Sequence, residues 1–390
     1  MHLGDTMNCN VLILDGYARQ TLAMAKAFRE IGCEVTVAYF SRLDVGFASR
    51  YPHHKVRFAC ARDDYDRQYE LAHKLICSDK YDLVVPMTDY SAIYLAIHKD
   101  ELKKHARIAV NDEDTFELAI NKSRTMEACK RLGISAPASV FAQKLTRQIV
   151  EEKLEYPVVI KPVTACGSIG FQIISDRAHL ESYLAEYDDQ NGPLMAQEYV
   201  PAGGKQYNIQ MFIDRDGVRK MGIASQKCRW FPLDGGAATC VMTIENEGLL
   251  QQCEALLKGI GWEGYADLDI IEHKNKQKLM VIEINPRISA NVKLCFASGV
   301  DVAKLIYENE FEQRVTDQTT YSLGKSMRCT LTEILWFLKA KDRFKSKPSW
   351  FSLGNSCDVV FSWKDPLPGI TFCLQSALNY RHAMRQRRRK

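Results

Sequence analysis

The sequence predicts an α/β chain: a parallel-sheet unit first, then a longer mixed α+β region, then a small C-terminal region. Three observations carry this. Strand and helix signals alternate through the first hundred residues, as βαβ units around a parallel sheet require. From residue 157 onward strand-like runs dominate, and only one helical pattern, Glu247–Gly259, interrupts them. The length, 390 residues with 46% hydrophobic and 26% charged residues, suits two or three domains of about 150 residues each. Such a composition excludes a wholly disordered or fibrous chain.

In order, Val11-Leu12-Ile13-Leu14 is a short apolar strand ending at Asp15-Gly16. A helical pattern through Leu22, Ala25 and Phe28 follows and closes at Gly32. Val35 to Tyr39 reads as the next strand, residues 71–76 as helix, and Leu83-Val84-Val85-Pro86 as a third strand. Ligands of parallel sheets sit at strand carboxyl ends, here Asp15 to Arg19 and Met87-Thr88-Asp89. Gly16 alone is equally a tight turn, and the GxGxxG fingerprint is absent. A new unit begins near Asn111. Lys122–Leu132 reads as a helix stopped by Gly133 and Pro137, followed by strands over 157–161, 171–174, 194–200, 207–213, 222–226, 265–271 and 279–284. Later, 332–343 reads as helix and 351–363 as strand-rich.

Lys and Arg number 52 against 48 Asp and Glu, so overall charge argues for no nucleic-acid partner. Residues 366–380 are uncharged but broken by two prolines and a glycine, so no bilayer-spanning helix is expected there. The start lacks a basic segment with an apolar run behind it, and Met7 is an alternative start, so no secretory signal is read. No two of the 13 cysteines lie closer than twelve positions (Cys228 and Cys240), which leaves no CxxC pair or zinc-ribbon spacing. The expectation is a reducing, cytoplasmic setting with buried thiols. The nine histidines include no HExxH.

The strongest local signal is the pair of strands around 267–285, joined by the polar connector His273 to Lys278. With the turn centred near Lys276, residues whose numbers sum to 552 face each other: Asp269 opposes Glu283 and Asp267 opposes Asn285. Alternation then puts Glu283 and Asn285 on one face and Ile282 and Ile284 in the core. Like charges facing across strands repel. A hard divalent cation such as Mg²⁺ resolves that repulsion, and pairing with Lys or Arg in a solvated hairpin resolves it equally well. Pro286 ends the strand and Arg287 projects beside it. A second signal is Val159-Ile160-Lys161-Pro162 followed by a Gly-Ser-Gly loop. The lysine wants an anion if buried, and the loop amides can line a phosphate; an exposed lysine before a plain hairpin loop reads as well.

Taken in order, Lys122, Val159-Ile160-Lys161-Pro162, Cys166-Gly167-Ser168-Ile169-Gly170, Gln197-Glu198-Tyr199-Val200-Pro201 and Val281-Ile282-Glu283-Ile284-Asn285-Pro286-Arg287 resemble ATP-grasp enzymes. The likeness covers most of residues 10–310 and looks nearest to carboxylate–amine ligases of the carbamoyl-phosphate-synthase-like branch. It implies a Rossmann-like pre-ATP-grasp domain over 8–110 and a two-lobed ATP-grasp fold over 111–310, with lobes of about 111–195 and 196–310. A small domain would follow over 311–380, then a basic tail over 381–390. It further implies that Lys122 and Lys161 hold the ATP phosphates and that Gly167, Ser168 and Gly170 close over them. Glu198 with the backbone of Tyr199 and Val200 would take the adenine edge, and Gln206 would stand at a ribose position where relatives carry Glu. Asp269, Glu283 and Asn285 would hold two Mg²⁺ ions, with Mn²⁺ as a substitute. Arg287 would steady a phosphorylated intermediate. The implied activity is ligation of a small-molecule carboxylate to an amine through an acylphosphate, in a chain that can form a homodimer. Carboxylation, small-molecule phosphorylation and a non-catalytic nucleotide-binding module are the alternatives.

Arg229 is a candidate for gripping the substrate carboxylate, its planar fork suiting that group; stacking on Trp230 or capping a loop is the structural alternative. Residues 381–390 carry six Arg or Lys. They read as a solvated terminus or as a contact for anionic lipid or a lipid-linked acceptor.

Overall fold

The computed structural model describes residues 9–164, 171–188, 192–233, 237–352 and 354–387, with backbone alone over 379–387. Strands β1 (Asn10–Ile13), β2 (Glu34–Tyr39), β3 (His54–Arg57), β4 (Leu83–Val85) and β5 (Arg107–Ile108) form a parallel sheet in the order β3-β2-β1-β4-β5. The apolar run at β1 is central and buried on both faces, as a parallel sheet demands. β3 and β5 lack that apolar signature, because an edge position covers fewer of their side chains.

Gly16 is needed for packing. A Cβ there would lie 2.6 Å from the Ala38 carbonyl oxygen and 2.8 Å from Val37. Its N–H donates to that carbonyl, and its own carbonyl accepts from Gly46. The tight-turn alternative therefore accounts for this glycine.

A second sheet holds β6 (Ser139–Phe141), β7 (Val158–Pro162), β8 (Gln172–Ile174) and β9 (Leu194–Glu198), antiparallel in the order β6-β9-β7-β8. The third contains β10 (Gln206–Ile213), β11 (Arg219–Phe231), β12 (Ala237–Ile244), β13 (Gly264–His273), β14 (Lys278–Asn285), β15 (Ser326–Arg328) and β16 (Ser356–Asp358), in the order β14-β13-β10-β11-β12-β15-β16.

Three features depart from the sequence expectation. Region 311–380 does not stand apart, since β15 and β16 extend the third sheet. The strand-rich reading of 351–363 shrinks to the three residues of β16. The helix Lys122–Leu132, placed with the first lobe, buries Met126 and Cys129 against Cys253, Leu257 and Val281 of the second. The N-terminal sheet is likewise not isolated: Val11, Ile13 and Phe28 share one core with Phe212, Ile223 and Tyr265 of the third sheet and Leu305 of the helix Val302–Phe311. That shared core sets the ends of β1 and β4 against the end of β14.

Candidate functional site

The β13–β14 hairpin has the expected register: Asp269 faces Glu283 and Asp267 faces Asn285. Beyond that point a β-bulge between Asp269 and Ile270 shifts the pairing. Val281 and Ile284 therefore enter the core, whereas Ile282, expected there, is only half-buried. One added residue breaks strict alternation, which a simple period of two does not allow for. Asp267 is 2% exposed, and its Oδ1 accepts from Asn208 Nδ2 at 2.5 Å while its Oδ2 has no hydrogen-bond partner. Burial and the neighbouring Asp269 charge push the Asp267 carboxyl up to about 6. Burial and Asp269 also raise Glu283. This face thus carries more negative charge than its own hydrogen bonds accommodate.

Three lysines answer it from different elements. Lys122 opens its helix behind an Asn121 cap, whose side chain accepts from the Ser123 and Arg124 amides. The Lys122 amide donates to Val163 at 2.8 Å, which ties the helix start to the end of β7, and its Nζ lies 3.7 Å from Glu283 Oε2. Lys161 on β7 donates to Gln197 Oε1 at 2.9 Å. Burial, with the Lys122 charge adding to it, lowers Lys161 to about 8 against the opposing pull of Glu283. Lys227 on β11 pairs with Asp269 at 2.7 Å. Burial alone would raise Asp269, but the Lys227 charge and hydrogen bond overcome it and hold that carboxyl down.

The oxygen donors suit a hard cation, and the orphaned Asp267 Oδ2 is the kind of atom such an ion satisfies. Among the described residues no group of three or more His, Cys, Asp or Glu side chains is arranged to hold a metal by itself. An ion here would draw on Asp269, Glu283, the Asn285 carboxamide and oxygens of a bound ligand.

Arg287, just past β14, pairs through Nε with Asp89 Oδ1 at 3.1 Å, joining the hairpin to the carboxyl end of β4. Glu198, expected at an adenine edge, is engaged: its carboxylate accepts from the Ala138 amide at 3.2 Å and pairs with Lys276 and, at 3.4 Å, with His273. Tyr199 and Val200 follow it, both half-buried. Gln206 opens β10 between Lys227 and Ile271. Gly167, Ser168 and Gly170 lie outside the described residues.

Arg229 is not brought to this face. It is 1% exposed, bonds Glu333 through Nε and Nη2 (2.6 Å to Oε2), donates to the Pro348 carbonyl and lies 5.1 Å over Trp336. The structural alternative is realised, with Trp336 in place of Trp230 as the stacking partner. Sequence reasoning missed Lys227 and Asn208 as members of the cluster, and it placed Asp89 at a strand end without joining it to Arg287. For Lys227 a signal existed, a lysine inside a long strand; Asn208 and the Asp89–Arg287 link become visible only through cross-strand and inter-sheet contacts.

Residues 119–291 match the family model of the ATP-grasp domain. The D-aspartate ligase of Enterococcus faecium (strain Aus0004) is 22% identical over 271 residues, covering 65% of this chain and 64% of that protein. The carbamoyl phosphate synthase large chain of Clostridium beijerinckii is 27% identical over 201 residues, covering 49% of this chain and 18% of that one. The chain thus spans less than two thirds of either relative. Among solved structures, the biotin carboxylase–β,γ-ATP complex of Campylobacter jejuni superposes with a TM-score of 0.66 at 14% identity, over 81% of this chain and 74% of that one. The lysine-bearing strand and the acidic hairpin both lie within the matched segment, and residues 119–291 of this chain are similar to the ATP-grasp domain family.

Proposed function

We propose that the protein is an ATP- and Mg²⁺-dependent ligase that activates a small-molecule carboxylate as an acylphosphate and joins it to an amine. One observation carries the reading: Lys122, Lys161 and Lys227, from three separate elements, converge on a half-buried hairpin face on which the Asp267 carboxylate keeps an unpartnered oxygen. A bound MgATP would add a cation for these acids and phosphate oxygens for the lysines to bind. The D-aspartate ligase relative supports a carbon–nitrogen bond-forming chemistry.

In this reading Asp269, Glu283 and Asn285 hold the magnesium, which supplies charge neutralisation on the phosphates. Lys122 and Lys161 bind phosphate oxygens, and a phosphate beside Lys161 restores its proton. Arg287, oriented by Asp89, faces the transferring group and offsets negative charge as it develops. The substrate carboxylate oxygen attacks the γ-phosphorus and ADP departs. The amine nitrogen then attacks the acyl carbon, the C–O bond to phosphate breaks, and the nitrogen gives up a proton. Water must be kept from the acylphosphate, which would otherwise hydrolyse. Glu198, Tyr199 and Val200 remain the adenine-side candidates, with Lys276 positioning the Glu198 carboxylate.

Incubation with ATP, Mg²⁺ and pools of amino acids, with ADP and phosphate measured, tests the reading. A ligase releases phosphate only when acid and amine are both present. ADP without phosphate means a kinase, and no ADP at all means a binding module.

A further inference from the structure

The helix Leu367–Arg387 starts with Pro368 and Gly369 in its first turn, where a proline is tolerated. One side is docked. Gly369 sits so close to Phe361 that a Cβ would meet that ring at 2.5 Å, and Phe372 packs against the core containing Val359 and Val360. Just before the helix, Asp365 accepts from Ser49 Oγ at 2.6 Å and from the Arg50 amide. The other side is bare. Leu367, Ile370, Leu374 and Leu378 are 57%, 54%, 52% and 54% exposed, and at 100° per residue they fall within an arc of about 80°. Every exposed side chain described on this helix is apolar, whereas Thr371, Gln375 and Ser376 are half-buried. That inverts the usual arrangement of a surface helix. Trp363, immediately upstream, is fully exposed.

Charge says what covers this face. Residues 366–390 contain six Arg or Lys and no Asp or Glu, so the rest of the chain holds 46 basic against 48 acidic residues. All of the chain's positive excess therefore adjoins its apolar stripe. A second copy packed in parallel would bring two such basic segments together, and like charges would oppose the pairing. We propose that this helix seats the protein on an anionic lipid bilayer, with Leu367, Ile370, Leu374 and Leu378 in the acyl boundary and Trp363 at headgroup level, the positive charge carried by the sequence over 381–390 favouring an anionic surface. No helix among the described residues is long and apolar enough to cross a membrane, so the contact is peripheral.

Flotation of the full chain with vesicles tests this, using neutral phosphatidylcholine or phosphatidylcholine with phosphatidylglycerol. Binding is expected to anionic vesicles only, and to weaken as salt rises from about 0.1 to about 0.5 M. Arg387→Ala, Arg388→Ala and Arg389→Ala together should weaken it on the order of a hundredfold. Leu374→Glu with Leu378→Glu should weaken it roughly tenfold or more while leaving thermal unfolding unchanged, since both positions are exposed. Trp363→Phe should abolish most of the vesicle-induced fluorescence shift, although four other tryptophans remain. Equal binding to neutral vesicles, full binding by the double Leu→Glu variant, or a dimer in sedimentation that this variant dissolves would each overturn the proposal. None of these residues lies at the nucleotide site, so failure here leaves the ligase reading standing.

Discussion

Lys227 and Arg229 stand two residues apart on β11, yet a register shift between them sends one to Asp269 and the other to Glu333. Arg229 is saturated: Glu333 takes its fork, Thr239 Oγ1 donates to the same carboxylate at 2.6 Å, and Trp336 covers the guanidinium. Around Lys227, Asp267 keeps an orphaned oxygen, Glu283 is raised by burial and a neighbouring acid, and Lys161 is lowered by burial and a neighbouring lysine. Both regions bury charges of opposite sign. The satisfied one holds structure, whereas the unsatisfied one is the face to which we assign the proposed ligand.

The largest effect should come from breaking the satisfied pair. Arg229→Met alone leaves Glu333 buried and uncompensated, costing about 3–5 kcal/mol of stability in denaturant titration, and adding Glu333→Leu should recover most of it. If Arg229→Met unfolds the protein no more easily than a surface change does, the contrast fails.

At the unsatisfied cluster the direction reverses. Glu283→Gln should lower nucleotide turnover roughly a hundredfold or more, yet leave the unliganded protein as stable or more so, because a repelling charge is gone. A loss of stability comparable to that of Arg229→Met would place Glu283 in the structural class.

A smaller effect concerns pH. In the free protein Lys161 sheds its proton near pH 8, below the ordinary lysine value, so its charge is complete only under that pH. ATP affinity should fall as pH rises from 7 to 9, by roughly tenfold, and binding above pH 8 should take up a proton measurable by calorimetry in two buffers. Without ligand, the same depressed value means that Lys161 costs stability below pH 8, and that this cost is relieved as pH rises toward the unfolded value. Lys161→Met should flatten the affinity profile.

The smallest effect is expected at Lys276→Ala, which frees one side of a partly exposed Glu198 pair. Stability should change by less than about 1 kcal/mol, and any rise in the KM for ATP without loss of kcat would locate adenine there.

Much of this organisation is written in local pattern. Apolar runs at β1, β4 and β7, the Asn121 cap and Gly133 stop, and the acids of the hairpin are near-neighbour signals, so residues themselves announce strand, helix end and charge cluster. Other elements carry no such signal. β12 mixes Thr and Cys with apolar residues, β3 is polar because it lies at an edge, and the short helix Glu113–Ile120 hides between the first sheet and the ATP-grasp strands. The bulge after Asp269 is equally silent, since no residue type demands it.

At the site the division has the same cause. The sequence by itself determined which charged and polar residues stand near one another along the chain: Asp267, Asp269, Glu283 and the neutral Asn285 through one hairpin, and Lys122 and Lys161 through their order. Only the tertiary structure decided that Lys227 neutralises Asp269, that Asp89 orients Arg287, and that Arg229 belongs to Glu333. Those outcomes depend on burial and on contacts across more than a hundred residues in two of the three cases, and a charge's worth is set by what surrounds it rather than by its place in the chain.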